Sequence, residues 1–149
     1  MRLIRTAAFC LILVACSSQP QHIEIQLPQG ARIAGVALTQ IGEPYRYGGD
    51  SPEGFDCSGL ALFVHARAGV SIPRTAELQQ RAAHAVKKVD MQAGDLVFFS
   101  IAKRRRVDHV GVYIGDGKFV HAPRAGSVVS IAYVEDPYFK RHFHSAGRF

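Results

Sequence analysis

From Ala31 the apolar residues Ile33, Val36, Ala37 and Ile41 recur at helical spacing, and Gly42 stands where such a helix would stop. The next stretch, Gly42 to Gly49 and on through Ser51-Pro52-Glu53-Gly54, is a loop by composition. Helical spacing resumes with Leu60, Phe63 and Val64 and is closed by Gly69, which places Cys57 at or just before the start of a second helix. A third helix is expected from Thr75, an N-cap following Pro73, to Ala85. Beyond it the period changes. Leu96-Val97-Phe98-Phe99 is a short apolar run, and Val107 to Ile114 alternates, with Val110, Val112 and Ile114 on one face and His109, Gly111 and Tyr113 on the other. Gly115-Asp116-Gly117 signals a hairpin turn, Lys118 to Ala122 returns, and Ser127 to Val134 reads as a further strand. Pro137 to His144 reads as a short terminal helix. Helices first and strands afterwards predict an α+β fold with helices packed on an antiparallel sheet.

The N-terminal segment follows a different rule. Arg2 and Arg5 are its only charges before Cys16, and Ala7 to Ala15 is apolar throughout, too short a run to span a bilayer. It ends Leu13-Val14-Ala15-Cys16, which resembles a bacterial lipobox, and the polar Ser17-Ser18-Gln19-Pro20 follows as a tether would. The expected organisation is therefore a signal peptide over 1–15, a tether over 16–30 with lipid on Cys16, and one domain over 31–149. Within the tether, His22 to Leu27 alternates weakly, as a short strand would. The expected location is the periplasmic face of the outer membrane. Cleavage would remove Cys10, so Cys57 is the single thiol left to an exported domain, which then has no internal disulfide.

With 149 residues, 48% of them hydrophobic, the chain has room for one compact core, and a monomer is expected. Its net charge of +6 owes much to the run Lys103-Arg104-Arg105-Arg106, which reads as a solvated loop tip or as a contact with an anionic wall or lipid surface. No aromatic and basic groove motif accompanies it, so nucleic acid is not an expected partner.

A cysteine peptidase requires a thiolate, a base for its proton and a group that orients the base. At a helix start Cys57 meets unpaired backbone N–H groups and the positive end of the dipole, both of which favour a thiolate titrating below the free value of about 8.5. Gly59 leaves room for a substrate backbone to approach. His109 is the candidate base, and His121, on the returning strand of the same hairpin, is the candidate orienting group. A two-residue turn at Asp116-Gly117 would pair Gly115 with Lys118 and put the two histidines on opposite faces. A three-residue turn would pair Gly111 with His121 and bring the rings together, so the triad requires an odd-length turn. These residues lack zinc-ligand spacing, and no metal or other cofactor is implied.

Pro44-Tyr45-Arg46-Tyr47-Gly48-Gly49, Asp56-Cys57-Ser58-Gly59, Gly94-Asp95-Leu96-Val97-Phe98-Phe99, Asp108-His109-Val110-Gly111 and Phe119-Val120-His121-Ala122 resemble, in order, the successive signatures of the NlpC family. These are papain-like endopeptidases of bacterial peptidoglycan. The resemblance implies a papain-like core, with Cys57 as nucleophile, His109 as general base and then acid, and His121 as the polar third member. It implies Tyr45, with the Cys57 backbone N–H, as the oxyanion donor. Asp56 and Ser58 fall where family members contact substrate, although Asp56 is equally placed to cap the helix. Arg74, in Pro73-Arg74-Thr75, becomes a candidate ligand for a stem-peptide carboxylate. The implied reaction is hydrolysis of the γ-D-glutamyl–diaminopimelate amide in peptidoglycan stem peptides. The rivals are an amidase or acyltransferase on a related fold, or a catalytically silent, lipid-anchored wall-binding protein.

Overall fold

A computed structural model describes residues 27–102 and 106–149. The signal peptide, Cys10, the lipidation site Cys16, most of the weak strand over 22–27, and Lys103 to Arg105 lie outside the described residues. The first helix, α1 (Gln29–Thr39), buries Ile33 and Ala37 of the expected stripe together with Ala34, while Val36 is partly buried and Ile41, beyond the helix end, is exposed. A two-stranded ribbon, β1 (Asp50–Ser51) and β2 (Gly54–Phe55), follows the loop. It leads directly into α2 (Cys57–Arg67) and then α3 (Ala76–Ala82). The remaining elements are β3 (His84–Val86), β4 (Leu96–Phe99), β5 (His109–Gly115), β6 (Lys118–His121), β7 (Ser130–Tyr133), α4 (Pro137–His142) and β8 (Phe143–Arg148). Six of the strands form one antiparallel sheet in the order β3-β8-β4-β5-β6-β7.

Alternation along the strands divides the core in two. Leu96, Phe98, Val110, Val112 and Val120 face Ile33, Ala37, Leu60, Ala61 and Val64 of the first two helices. Their strand neighbours Val97, Phe99, Tyr113 and Phe119 point the other way, toward Val134, Ala146 and Phe139 of α4. Burying each large apolar side chain stabilises the fold by about 1.5–3 kcal/mol, so α2 is pinned to the sheet along its length. That packing fixes where the helix begins, and hence where Cys57 stands.

Three expectations are corrected. The third helix ends at Ala82, because Ala83 is already extended and His84, Ala85 and Val86 pair with Arg148, Gly147 and Ala146. The terminal helix stops at His142, and the chain continues as β8, a strand lodged between β3 and β4. The hairpin turn is not odd-length. Gly115 pairs with Lys118 across Asp116-Gly117, both of which have positive φ (51° and 72°), as a tight two-residue turn requires. Tyr113 nonetheless pairs with Phe119 and Val112 with Val120, which leaves Ile114 without an opposite number. This one-residue bulge supplies the shift that the sequence had been expected to obtain from the turn. Continued by one residue, the register sets Gly111 opposite His121, as the triad demands.

Candidate active site

Asp56 organises the entrance to α2. Its carboxylate accepts the Gly59 N–H at 2.7 Å, the N-cap bond that begins the helix. It also accepts the Gly48 N–H at 3.0 Å and the Ser58 hydroxyl at 3.2 Å, and it takes Arg74 in a fork, Nη1 at 3.0 Å and Nη2 at 2.7 Å. The capping alternative for Asp56 is thus realised, and the same carboxylate straps the tyrosine-bearing loop to the helix. Burial opposes ionisation of Asp56, but the bonds from Arg74 and Gly59 outweigh it and hold the carboxyl below its ordinary range. Arg74 further donates to the Ser58 hydroxyl at 3.0 Å, so its guanidinium is largely occupied by the protein itself. The space at Gly59 is not kept for a substrate either. A Cβ there would overlap the carbonyl oxygen of Gly49, so this glycine admits the chain's own loop.

His109 and His121 meet through Nε2 and Nδ1 at 2.8 Å, with rings nearly perpendicular at 86°. Both are buried, 6% and 5% exposed, and His121 is walled by the rings of Phe119 and Phe139 at centroid distances of 5.0 and 5.3 Å. The Cys57 sulfur accepts from the backbone N–H of Val110, the residue after His109, which brings the start of α2 against the start of β5. The N–H groups of Ser58 and of Cys57 itself are also directed at it. Cys57 therefore lies against the backbone of the residue that follows His109.

The charge state of this centre departs from expectation. Burial pushes the Cys57 thiol up to about 11, with the Asp56 anion adding to the rise, and the three N–H groups offset only part of it. Burial lowers His109 to about 4, against the raising influence of Asp108, and His121 to about 3, with His109 contributing. The dipole argument had predicted a stabilised thiolate. It omitted desolvation, which favours the uncharged form of all three groups and here is the larger effect. The resting centre holds a neutral thiol and two neutral imidazoles.

A cleft of about 640 Å³ opens above the sulfur, lined by Cys57, Ser58, Asp56, Arg74, Tyr45 and Tyr47, with Glu77, Arg106 and Asp108 farther along. Tyr45 is half-buried beside Cys57, and burial, then the neighbouring thiol, raise its pKa, so it keeps its proton and remains a donor. Tyr47 projects from the rim, 90% exposed. Arg106 of the basic run is bound to Glu77 at 2.5 Å across the cleft wall. The expected site residues Tyr45, Asp56, Cys57, Ser58 and Arg74 thus share one cleft, whose lining extends to Asp108, while His109 and His121 are buried and do not line it. Sequence reasoning had assigned no role to Tyr47, although it sits inside a recognised motif. It also passed over Gln79 and the Val110 N–H, since neither a buried amide nor a backbone donor leaves a pattern in the chain.

Residues 42–148 match the profile of the NlpC/P60 family. Murein DD-endopeptidase MepH of Escherichia coli is 44% identical over 115 residues, which is 74% of this chain and 42% of that protein. The bifunctional muramidase/DL-endopeptidase CwlT of Bacillus subtilis is 39% identical over 114 residues, 75% of this chain and 34% of that one. The crystal structure of an NlpC/P60 family protein from Bacillus cereus superposes with a TM-score of 0.77 at 36% identity, covering 84% of this chain and 41% of that chain. The chain thus spans less than half the length of these relatives. It belongs to the NlpC/P60 family, and the α+β, papain-like architecture is the family's own.

Proposed function

We propose that this NlpC/P60 chain is a cysteine endopeptidase that hydrolyses peptide bonds in peptidoglycan stem peptides. The observation that carries the reading is the 2.8 Å bond between His109 and His121, with His109 next along the chain to Val110, whose N–H meets the sulfur of a cysteine at the first residue of a helix. One of two neutral imidazoles joined by such a bond must donate. With His109 Nε2–H donating to His121 Nδ1, the lone pair on His109 Nδ1 is free to act as a base. Because the thiol is neutral at rest, its proton passes to His109 as the sulfur attacks the scissile carbonyl. The oxyanion that forms is met by the Tyr45 hydroxyl and the Cys57 backbone N–H, donors already in place before charge develops. The imidazolium, steadied by His121, then protonates the departing amine nitrogen and the C–N bond breaks. Water, deprotonated by His109, opens the thioester and restores the thiol.

Asp56, Ser58 and Arg74 form the wall against which the peptide would lie, and an incoming carboxylate would have to compete with Asp56 for Arg74. The bond proposed is the γ-D-glutamyl–diaminopimelate amide. A second reading, cleavage of the cross-link between stem peptides, is favoured by the Escherichia coli relative, which is named a DD-endopeptidase. An attachment to the membrane through lipid on Cys16 belongs to the same proposal.

Digestion of purified cell wall, followed by mass analysis of the products, tests these statements together. The first bond yields glycan-linked dipeptides, the second turns cross-linked dimers into monomers, and an amidase would release whole stems. No new termini with the wild type, or undiminished cleavage with Cys57→Ala, would sink the enzymatic reading. The mass of the N-terminal peptide of the exported protein reads the anchor, which fails if Cys16 carries no acyl chain.

A further inference from the structure

Gln79, in the middle of α3, is fully buried, yet it is polar and reaches no cleft surface. Its side-chain Nε2 donates to two backbone carbonyls, that of Ser58 at 3.0 Å and that of Pro73 at 2.8 Å. Ser58 follows the candidate nucleophile in the first turn of α2. Pro73 precedes Arg74. Two carbonyl oxygens can be joined only by a group with two hydrogens to give, which the amide nitrogen of glutamine has and a hydroxyl or an ionised carboxylate lacks. The other end of the amide is left over. Gln79 Oε1 is buried and has no hydrogen-bond partner among the described residues. A buried acceptor without a partner costs stability, which offsets part of what the two donated bonds contribute.

We propose that Gln79 is a positioning residue that clamps the nucleophile turn of α2 to the segment carrying Arg74. The inference rests on the reading of the cleft as a peptidase site. The clamp matters because Arg74 arrives from a loop and α2 from a helix start, and among the described residues the Gln79 amide is what ties the loop's backbone to that turn. Arg74 touches the turn only through its side chain, at Asp56 and Ser58. Those side-chain bonds have to loosen if a substrate carboxylate is to share the guanidinium. With Gln79 in place the backbones stay in register while the side chains exchange partners. Without it, loosening the side chains frees the whole segment. Gln79 therefore acts on substrate binding through Arg74, and on the aim of Cys57 through Ser58.

Gln79→Met keeps the volume and removes both donors. Its KM for a stem-peptide substrate should rise roughly tenfold, with a smaller fall in kcat, while thermal melting shows a protein that is still folded at the assay temperature. Combined with Arg74→Met, the double variant should lose little more than Arg74→Met alone, because the two act on one step. A role in stability alone would move the melting temperature, leave KM untouched and add to the Arg74 effect. Gln79→Glu is a second arm should the methionine variant fail to fold. Its buried carboxyl can give at most one hydrogen, and none when ionised, so activity should fall as pH rises, along a limb the wild type lacks. A folded Gln79→Met with wild-type KM overturns the inference, as does a Gln79→Glu pH profile of wild-type shape. A wild type that cleaves no stem peptide removes the functional reading instead, a result told apart because it precedes any variant.

Discussion

At the scale of single residues the centre is governed by burial rather than by the helix dipole. Cys57 sits where three backbone N–H groups converge, which is an arrangement built to receive negative charge, yet the thiol rests protonated because its partial burial at the cleft favours the uncharged form. The N–H groups therefore contribute most when charge has moved, either onto sulfur as the proton leaves or onto the carbonyl oxygen after attack. Alkylation of Cys57 by iodoacetamide, followed against pH, tests this. The reaction should accelerate above the free-thiol midpoint of about 8.5 rather than below it. A plateau of fast alkylation extending down to neutral pH would show a thiolate–imidazolium pair in the resting enzyme and overturn the neutral assignment.

At the scale of elements, the site depends on two contacts in which backbone meets backbone. The first turn of α2 is pressed against the Gly49 carbonyl, with the Asp50 Cα only 3.1 Å from where a Gly59 side chain would start. Gly59→Ala has no flexible partner to push aside and must part the loop from the helix. The expected loss of stability is about 1–3 kcal/mol, the range for overpacking a filled site, read by urea denaturation. Activity should fall with it, since the loop carries Tyr45; a variant with unchanged midpoint and turnover would contradict the contact. The second is the β5–β6 hairpin, and it shows what a sequence can and cannot disclose. Alternation placed His109 and Tyr113 on one face and Val110 and Val112 on the other, as the structure has them, because that choice depends only on neighbours along the chain. Asp116-Gly117 was equally readable as a turn. The bulge at Ile114 was not, because an isoleucine that follows the alternation gives no sign that it has lost its cross-strand partner. β8 escaped for a related reason. Phe143-His144-Ser145-Ala146-Gly147-Arg148 has no regular alternation of its own, and it becomes a strand through pairing on both sides.

Across the whole molecule, the desolvation that keeps the centre neutral also ties folding to pH. His109 and His121 are lowered from the ordinary 6.5 to about 4 and about 3, and burial lowers His65, enclosed in α2 against Phe149, in the same direction. An imidazole whose folded pKa lies below its unfolded one binds fewer protons when folded. Between those two values the unfolded chain takes up protons that the folded chain refuses, so stability is complete above about 6.5 and drains away as pH falls toward 4. At pH 5 a histidine lowered this far costs about 2 kcal/mol, and the pair at the centre about twice that, since both must stay neutral in the native state. For a domain of this size the melting temperature should then drop by roughly 10–20 °C between pH 7 and pH 5. Catalysis has a different threshold, because His109 remains an unprotonated base until pH nears 4. Assayed well below the melting temperature, cleavage should therefore persist through pH 5 and fail only where the fold does. Melting curves and initial rates taken at matched pH values read both limits. A melting temperature that is level from pH 7 to pH 5, or a rate that halves near pH 6.5 while the protein is still fully folded, would show that His109 titrates as an ordinary exposed histidine and that its burial does not control its charge.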